Sequence, residues 1–300
     1  MQIIQIVPIL LALALGPLLM GIINRVKALW GGRTGPPLIQ PYKDMAKLLG
    51  KSAIYSNSTT WFIKAGPVVA LASSVAVLAL IPLGGIPALL SFQGDLILFA
   101  YIFGIGRFFT ILAALDTASP FCGMGGVREA FYGALSEIVF FFSVVALAAQ
   151  VHSVSLTDIL SPANSYALVP TILVVGCMFV VTLAENARIP VDDPNTHLEL
   201  TMIHEVMVLD HGGPDLALIE YGSAVKLWVF SAVLAQLFMP ISSASLVAGV
   251  ISNVIGIFLI VIAIGAVECG MARLKFLHVP RLLVGAAAIS ALAILLAVIS

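Results

Sequence analysis

Charge is what this chain has least of. Aspartate, glutamate, lysine and arginine together make up 10% of its 300 residues, against roughly 25% in a water-soluble domain. So few charges cannot cover a soluble surface, which excludes a soluble enzyme or a soluble binding module. Cysteine is scarce too: Cys122, Cys177 and Cys269 stand far apart, and no CxxC occurs. Iron–sulfur and nickel–iron centres need closely grouped thiolates, so no such centre and no disulfide framework is expected in this chain. Basic residues are missing before the first apolar run and follow it instead, at Arg25 and Lys27. A signal peptide has the reverse charge order and a shorter apolar core, so this run is expected to remain as a first helix. There is no fixed-period repeat and no low-complexity tract.

What fills the chain is apolar: 61% of residues, with a mean hydropathy of +1.12. A hydrocarbon core of ~30 Å takes ~20 apolar residues per helix, and runs of that kind occur near 3–23, 65–83, 96–115, 130–150, 168–184, 225–239, 246–267 and 282–299. The reading is an all-α integral membrane protein with about eight spans in one transmembrane domain over 1–300. The sixth run is short and close to the seventh, as in a tight helical hairpin. Of the fourteen lysines and arginines, seven (Arg25, Lys27, Arg33, Lys43, Lys47, Lys51 and Lys64) lie between the first two runs. Arg128 lies in the loop after the third run, Arg188 between the fifth and sixth, Lys226 at the start of the sixth, and Arg273, Lys275 and Arg281 between the seventh and eighth. The loops after the second, fourth and sixth runs have none. The positive-inside rule then places the odd loops in the cytoplasm and both termini outside, in a cytoplasmic (inner) membrane.

Two cytoplasmic loops stand out. Residues 31–51 read GGRTGPPLIQPYKDMAKLLGK. The Gly/Pro cluster predicts a rigid turn, and Pro41 suits a first helical position. Lys43, Lys47 and Lys51 then recur on one face, with Tyr42, Met45, Leu48 and Leu49 on the other. Such a helix lies in the membrane interface, anchoring to lipid, roofing a cavity or docking a partner. Residues 185–221 hold eight of the fifteen carboxylates and three of the five histidines. Asp193-Pro194 predicts a helix start, with a helix to about Leu209 ended by Gly212-Gly213. His197, His204 and His211 are seven apart, a rise of ~10.5 Å on a helix, too far for one ion held ~2.1 Å from each nitrogen. No metal site is expected. Carboxylates crowded at a membrane border hold protons more tightly, and groups so shifted pass protons near neutral pH. A solvated acidic face or docking surface is the plainer alternative.

Within the spans, Arg107 sits mid-helix, where a guanidinium needs a partner or a wet cavity. Counted from the cytoplasmic ends at 1.5 Å per residue, it is ~13 Å deep and Glu137 ~10 Å, which makes them partners across neighbouring helices. Glu129, Asp116, Glu185 and Glu268 lie at the cytoplasmic ends of spans, so a polar cytoplasmic half-channel is expected. Structural ion pairing is the alternative.

The segments RTGPPLIQPYKDMAKLLGK, LDTASPF, VREA, AENARIPVDDPNTHLELTMIHEVMVLD and ECGMARLKFLHVPR together resemble one family. It is the eight-helix membrane subunit 1 of respiratory complex I, shared with membrane-bound group 4 nickel–iron hydrogenases. Val191 stands where the complex I form has Phe, and Pro194–His197 where it has an acidic run. The chain is therefore more similar to the hydrogenase branch, which includes formate hydrogenlyase and hydrogenase-4 component C-like subunits and archaeal hydrogenase or sulfane reductase relatives.

The resemblance implies a subunit of an oxidoreductase that clamps hydrogenase large and small subunits and iron–sulfur subunits onto the membrane. Those partners would hold the nickel–iron centre and the clusters, with no redox centre or other cofactor in this chain. It also implies linkage to antiporter-like membrane subunits that translocate protons or sodium; lipids are the other partner, and nucleic acid is not. The implied charge-transfer track is Asp116, Glu129, Glu137, Glu185, Asp192, Asp193, Glu199 and Glu205, with Arg33, Arg107 and Arg128 as countercharges or cavity lining. No residue is assigned as catalytic. The competing reading is the quinone-site subunit of a complex I-like oxidoreductase.

Overall fold

The computed structural model describes residues 2–164, 166–193, 202–238 and 245–299. They form helices α1 (Gln2–Trp30), α2 (Gln40–Leu49), α3 (Phe62–Leu78), α4 (Asp95–Asp116), α5 (Pro120–Val151), α6 (Leu156–Ile159), α7 (Leu168–Glu185), α8 (His204–Met207), α9 (Pro214–Phe238), α10 (Leu246–Gly270) and α11 (Val279–Ile299). Among the described residues there is no strand, only the isolated bridge Leu83–Ile86. Among the described residues seven helices are long and apolar enough to cross a membrane, and α3 is a shorter apolar helix. These eight fall in the order that the apolar runs predict. In hydrocarbon every backbone N–H and C=O must be satisfied internally, and a helix does this alone. The protein is an all-α, multi-pass membrane protein.

The long helices are largely apolar on every face, and the bundle sorts those faces. Tyr101, Phe108, Leu168 and Val247 point outward, where a soluble protein would place charge. Inside, Phe99 stacks on Phe140 at 5.3 Å and Phe103 on Phe230 at 5.5 Å between ring centroids, joining α4, α5 and α9. Small residues bring α3 and α4 together: a Cβ on Gly106 would meet Ser73, and one on Gly66 would meet Ala113. This is how membrane helices gain close contact without a hydrophobic drive between them. Helix α9 is the centre post. Of the window in each span that is apolar enough to cross, 67% is buried in α9 and at most 39% in the others. It packs on α1, α2, α3, α7 and α10.

Three expectations need correction. The sixth span does not begin at 225. α9 starts at Pro214, a residue pre-set for a first helical position, with Asp215 in its first turn. Asp215, Glu220 and Lys226 hide this start in an apolar window, yet they fit because α9 faces protein rather than lipid. Arg128 is not in a loop: α5 begins at Pro120 after Ser119 and runs 32 residues, ~48 Å at 1.5 Å per residue, so it projects well past a bilayer core. The helix anticipated up to Leu209 is present among the described residues only as the turn His204–Met207; its proposed start at Pro194, and Glu199, lie outside them. Gly213, at φ +54°, makes the corner between α8 and α9, a backbone shape for which glycine is suited. The amphipathic α2 forms within one residue of expectation, with Met45 buried and the lysines outward. The connection between α9 and α10 lies outside the described residues.

Candidate functional site

Helix α5 repeats Glu129, Gly133, Ser136 and Glu137 at spacings that fall on one helical face. Against that face α4 lays Arg107. Its Nε is 3.8 Å from Glu129 Oε1 and its Nη1 3.7 Å from Glu137 Oε2. Gly133 makes room, since a Cβ there would lie 2.6–2.8 Å from the guanidinium. The last residue of α7, Glu185, closes the group. Its Oε1 accepts hydrogen bonds from Arg107 Nη2 and Ser136 Oγ, and its Oε2 accepts one from Lys226 Nζ of α9 at 2.7 Å. Lys226 also lies over the face of Phe103, 5.6 Å from the ring centroid. Arg107 and Lys226 thus share one buried carboxylate, with two further carboxylates beside the arginine. The pairing anticipated between Arg107 and Glu137 is present.

Three hollows meet at Glu185. The largest of the three, about 410 Å³, is lined by α1, α2, α3, α4, α5, α8 and α9 and by the end of α7 with the segment after it. A volume in this range suits a small molecule or a group of waters. Arg107, Glu129, Glu185 and Lys226 line one side; Asp44, His204, Glu205 and Glu220 line it as well, and Met45 of α2 contributes to its roof. A second void, about 30 Å³, is shared by Phe99, Gly104, Arg107, Glu137, Phe140 and Glu185. There the Glu137 side chain remains 37% exposed. A third, about 10 Å³, lies between Glu129, Tyr132, Ser136, Glu185 and Asp192, space for about one water.

The other sequence candidates separate into distinct roles. Asp192 is buried and fixed. It accepts from Arg273 at 2.7 Å and from the backbone N–H groups of Ile203 and His204 at 3.2 and 2.9 Å. The Asp193 N–H donates to it at 2.9 Å. Asp116 stands apart from the hollows and caps the start of α3: it accepts from Thr60 N and Oγ1, each at 2.7 Å, and from Ile63 N at 3.3 Å. Glu205 lines the large cavity. Arg128 donates to the Met202 carbonyl at 2.8 Å and stacks on Phe276. Arg33 lines an open basin beside Lys27 at the end of α1, not the large cavity. A separate buried cluster joins α1, α10 and the segment after α7: Glu268 is 2.8 Å from Lys27 and 3.4 Å from Arg188.

Sequence reasoning left Gly133, Ser136 and Lys226 out of the site, and Asp44 and Glu220 out of the cavity. The α5 spacing flags the first two; the Pro214-Asp215 start, once accepted, puts Lys226 three turns inside a span. Outside the spans, Tyr55 donates to Asp215 at 2.7 Å, and that bond, with burial, pushes its phenol up to about 12. Burial pushes the imidazole of His211 below its ordinary value, against the pull of Asp215 and Asp210.

Residues 1–299 match the protein family described as NADH dehydrogenase. Formate hydrogenlyase subunit 4 of Escherichia coli K12 is 27% identical over 282 residues, 91% of each chain. Hydrogenase-4 component C of the same organism is 28% identical over 274 residues, 88% of this chain and 86% of that one. A subunit of the NADH-quinone oxidoreductase of Burkholderia vietnamiensis is 26% identical over 269 residues, 83% and 75% of the two chains. In fold, the chain superposes on one in the structure of the membrane-bound sulfane sulfur reductase, an archaeal respiratory membrane complex, with a TM-score of 0.84 and 21% identity over 96% of each.

Proposed function

The chain belongs to the NADH dehydrogenase family, and from that premise we propose that it is the membrane-anchoring and ion-coupling subunit of a membrane-bound, complex I-like hydrogenase. In this reading hydrogenase large and small subunits and iron–sulfur subunits sit on the face carrying α2 and α8. They hold the nickel–iron centre and the clusters, and this chain supplies no redox centre. The face is cytoplasmic and both termini lie outside, as the lysine and arginine distribution supports. The similarity to formate hydrogenlyase subunit 4 and hydrogenase-4 component C supports the hydrogenase assignment.

One observation carries the coupling role: the buried Glu185 carboxylate is held between Arg107 and Lys226 and lines all three hollows. A charge arriving in a partner at the cavity face changes the field on this cluster, and in a low dielectric that field is weakly screened. The cluster responds by redistributing protons among Glu129, Glu137, Glu185 and the cavity acids Glu205 and Glu220. Glu137, half-exposed at the smaller void, faces outward toward antiporter-like neighbours that carry protons or sodium. Arg107 satisfies one side of this carboxylate, and its exposed part is better met by a protein neighbour than by lipid at that depth.

Glu185→Gln, placed in the assembled complex in sealed vesicles, tests this. Coupled ion translocation is expected to fall at least about tenfold, the scale of one lost charge-assisted hydrogen bond, while hydrogen turnover by the partner subunits persists. Unchanged translocation would reduce the chain to an anchor. The cavity volume also favours a second reading, a quinone-site subunit, for which the Burkholderia NADH-quinone oxidoreductase chain is the similar protein. Quinone-dependent turnover by the purified complex, blocked by bulky substitutions at Met45 or Met207, would establish it instead.

A further inference from the structure

We propose that Lys226 is a proton-relay partner of Glu185, which gives up and regains its own proton, rather than a fixed countercharge; this rests on the coupling role argued above. Two cations hold Glu185, and they differ in chemistry. The guanidinium of Arg107 does not lose its proton in a protein, whereas an ammonium is chemically able to give one up and take it back. They also differ in place. Arg107 and Ser136 hold Oε1, and Lys226 holds Oε2 at 2.7 Å. Lys226 lines the large cavity and neither smaller void; Glu185 lines all three. Both residues meet the large cavity, and there Lys226 is the donor held against Glu185 Oε2, so a proton taken up from the cavity by its amine has a direct path to that oxygen. Phe103 shares its charge without offering a proton acceptor. The step balances within these groups. A Lys226 N–H bond breaks and an O–H bond forms on Glu185 Oε2, leaving a neutral amine beside a neutral acid. The amine lone pair takes a proton from hydronium in the large cavity. The acid releases its proton to water in the void shared with Glu137. One proton has then crossed from the cavity to the Glu137 side, and both residues regain their starting charge.

Lysine-to-arginine replacement separates relay from countercharge, because arginine keeps the ion pair and cannot release the proton. In the assembled complex in sealed vesicles, with Glu185→Gln measured in parallel, Lys226→Arg is expected to retain hydrogen turnover and lose at least about tenfold in ion translocation per electron pair, as Glu185→Gln does. Lys226→His titrates near pH ~6.5, so it is expected to recover translocation on the acid side of neutrality and lose it above. A purely structural lysine would show no such profile. If Lys226→Arg translocates like the parent while Glu185→Gln does not, the relay is overturned and the coupling role stands. If Glu185→Gln also translocates normally, both fall. Should the arginine variant fail to assemble, a pH-independent Lys226→His variant would overturn the relay equally.

Discussion

Two carboxylates in this protein are built alike and placed differently. Glu185 lies between Arg107 and Lys226, and Glu268 between Arg188 and Lys27; each joins three separate stretches of chain. Glu268 has no exposed side-chain surface and lines none of the described hollows. Glu185 opens onto three, with Glu129 and Glu137 close to the same arginine. A carboxylate with further acceptors beside it and open space on several sides has somewhere to send a proton. One sealed between two cations has only its ion pairs. Change therefore belongs to the Glu185 cluster and fixity to the Glu268 cluster.

The largest effect is expected at the sealed site. Glu268→Gln leaves the buried Arg188 and the partly exposed Lys27 without their shared carboxylate, and breaking a buried pair costs about 3–5 kcal/mol. The thermal midpoint of the detergent-solubilised protein should drop sharply, while whatever assembles keeps its translocation ratio. Uncoupling without loss of stability would reverse the two assignments. Gly133→Ala comes next. Its Cβ would press on the Arg107 guanidinium, and overpacking of this kind costs about 1–3 kcal/mol. The expected result is weakened translocation with a modest loss of thermal stability; full translocation would show that the arginine position is not critical. Asp116→Ala sharpens the contrast from outside both clusters. Because Asp116 caps α3, its loss should cost about 1 kcal/mol and leave ion translocation unchanged. A translocation defect would return it to the charge-transfer track.

The sequence exposes part of this arrangement. Depth counting from span ends pairs Arg107 with Glu137, because helix rise is fixed and both residues lie in clean apolar runs. The eight apolar helices are legible for the same reason. Lys226 is not, because an acidic stretch hides where α9 begins and its partner Glu185 is 41 residues away. Asp116 reads as one more acid at a span end until Thr60, 56 residues earlier, is brought to it by the packing of α3 on α4. Asp44 and Glu220 line the cavity with Glu205 only because α2 folds back over α9. Contacts made by tertiary closure leave no periodic mark.

The smallest expected effect lies at the corner that joins α8 to α9. His211 is buried, its Nδ1 has no hydrogen-bond partner among the described residues, and Asp210 and Asp215 are the charges nearest in influence. Burial lowers its folded pKa below the unfolded value of about 6.5. Above that pH the imidazole is neutral whether folded or unfolded, so its neutral burial is not penalised. As pH falls through about 6.5 the unfolded chain takes the proton first, and stability is lost until the folded imidazole is protonated as well. The loss is at most about 1.4 kcal/mol per pH unit. A series of thermal midpoints between about pH 7.5 and 5 should therefore fall more steeply for the parent than for His211→Gln, which has nothing to titrate there. Parallel curves would mean that the imidazole binds its proton equally well folded and unfolded, and a parent curve shallower than that of His211→Gln would mean that Asp210 and Asp215 hold the proton in the folded state. The corner would then belong with the ion-paired, fixed regions of the molecule.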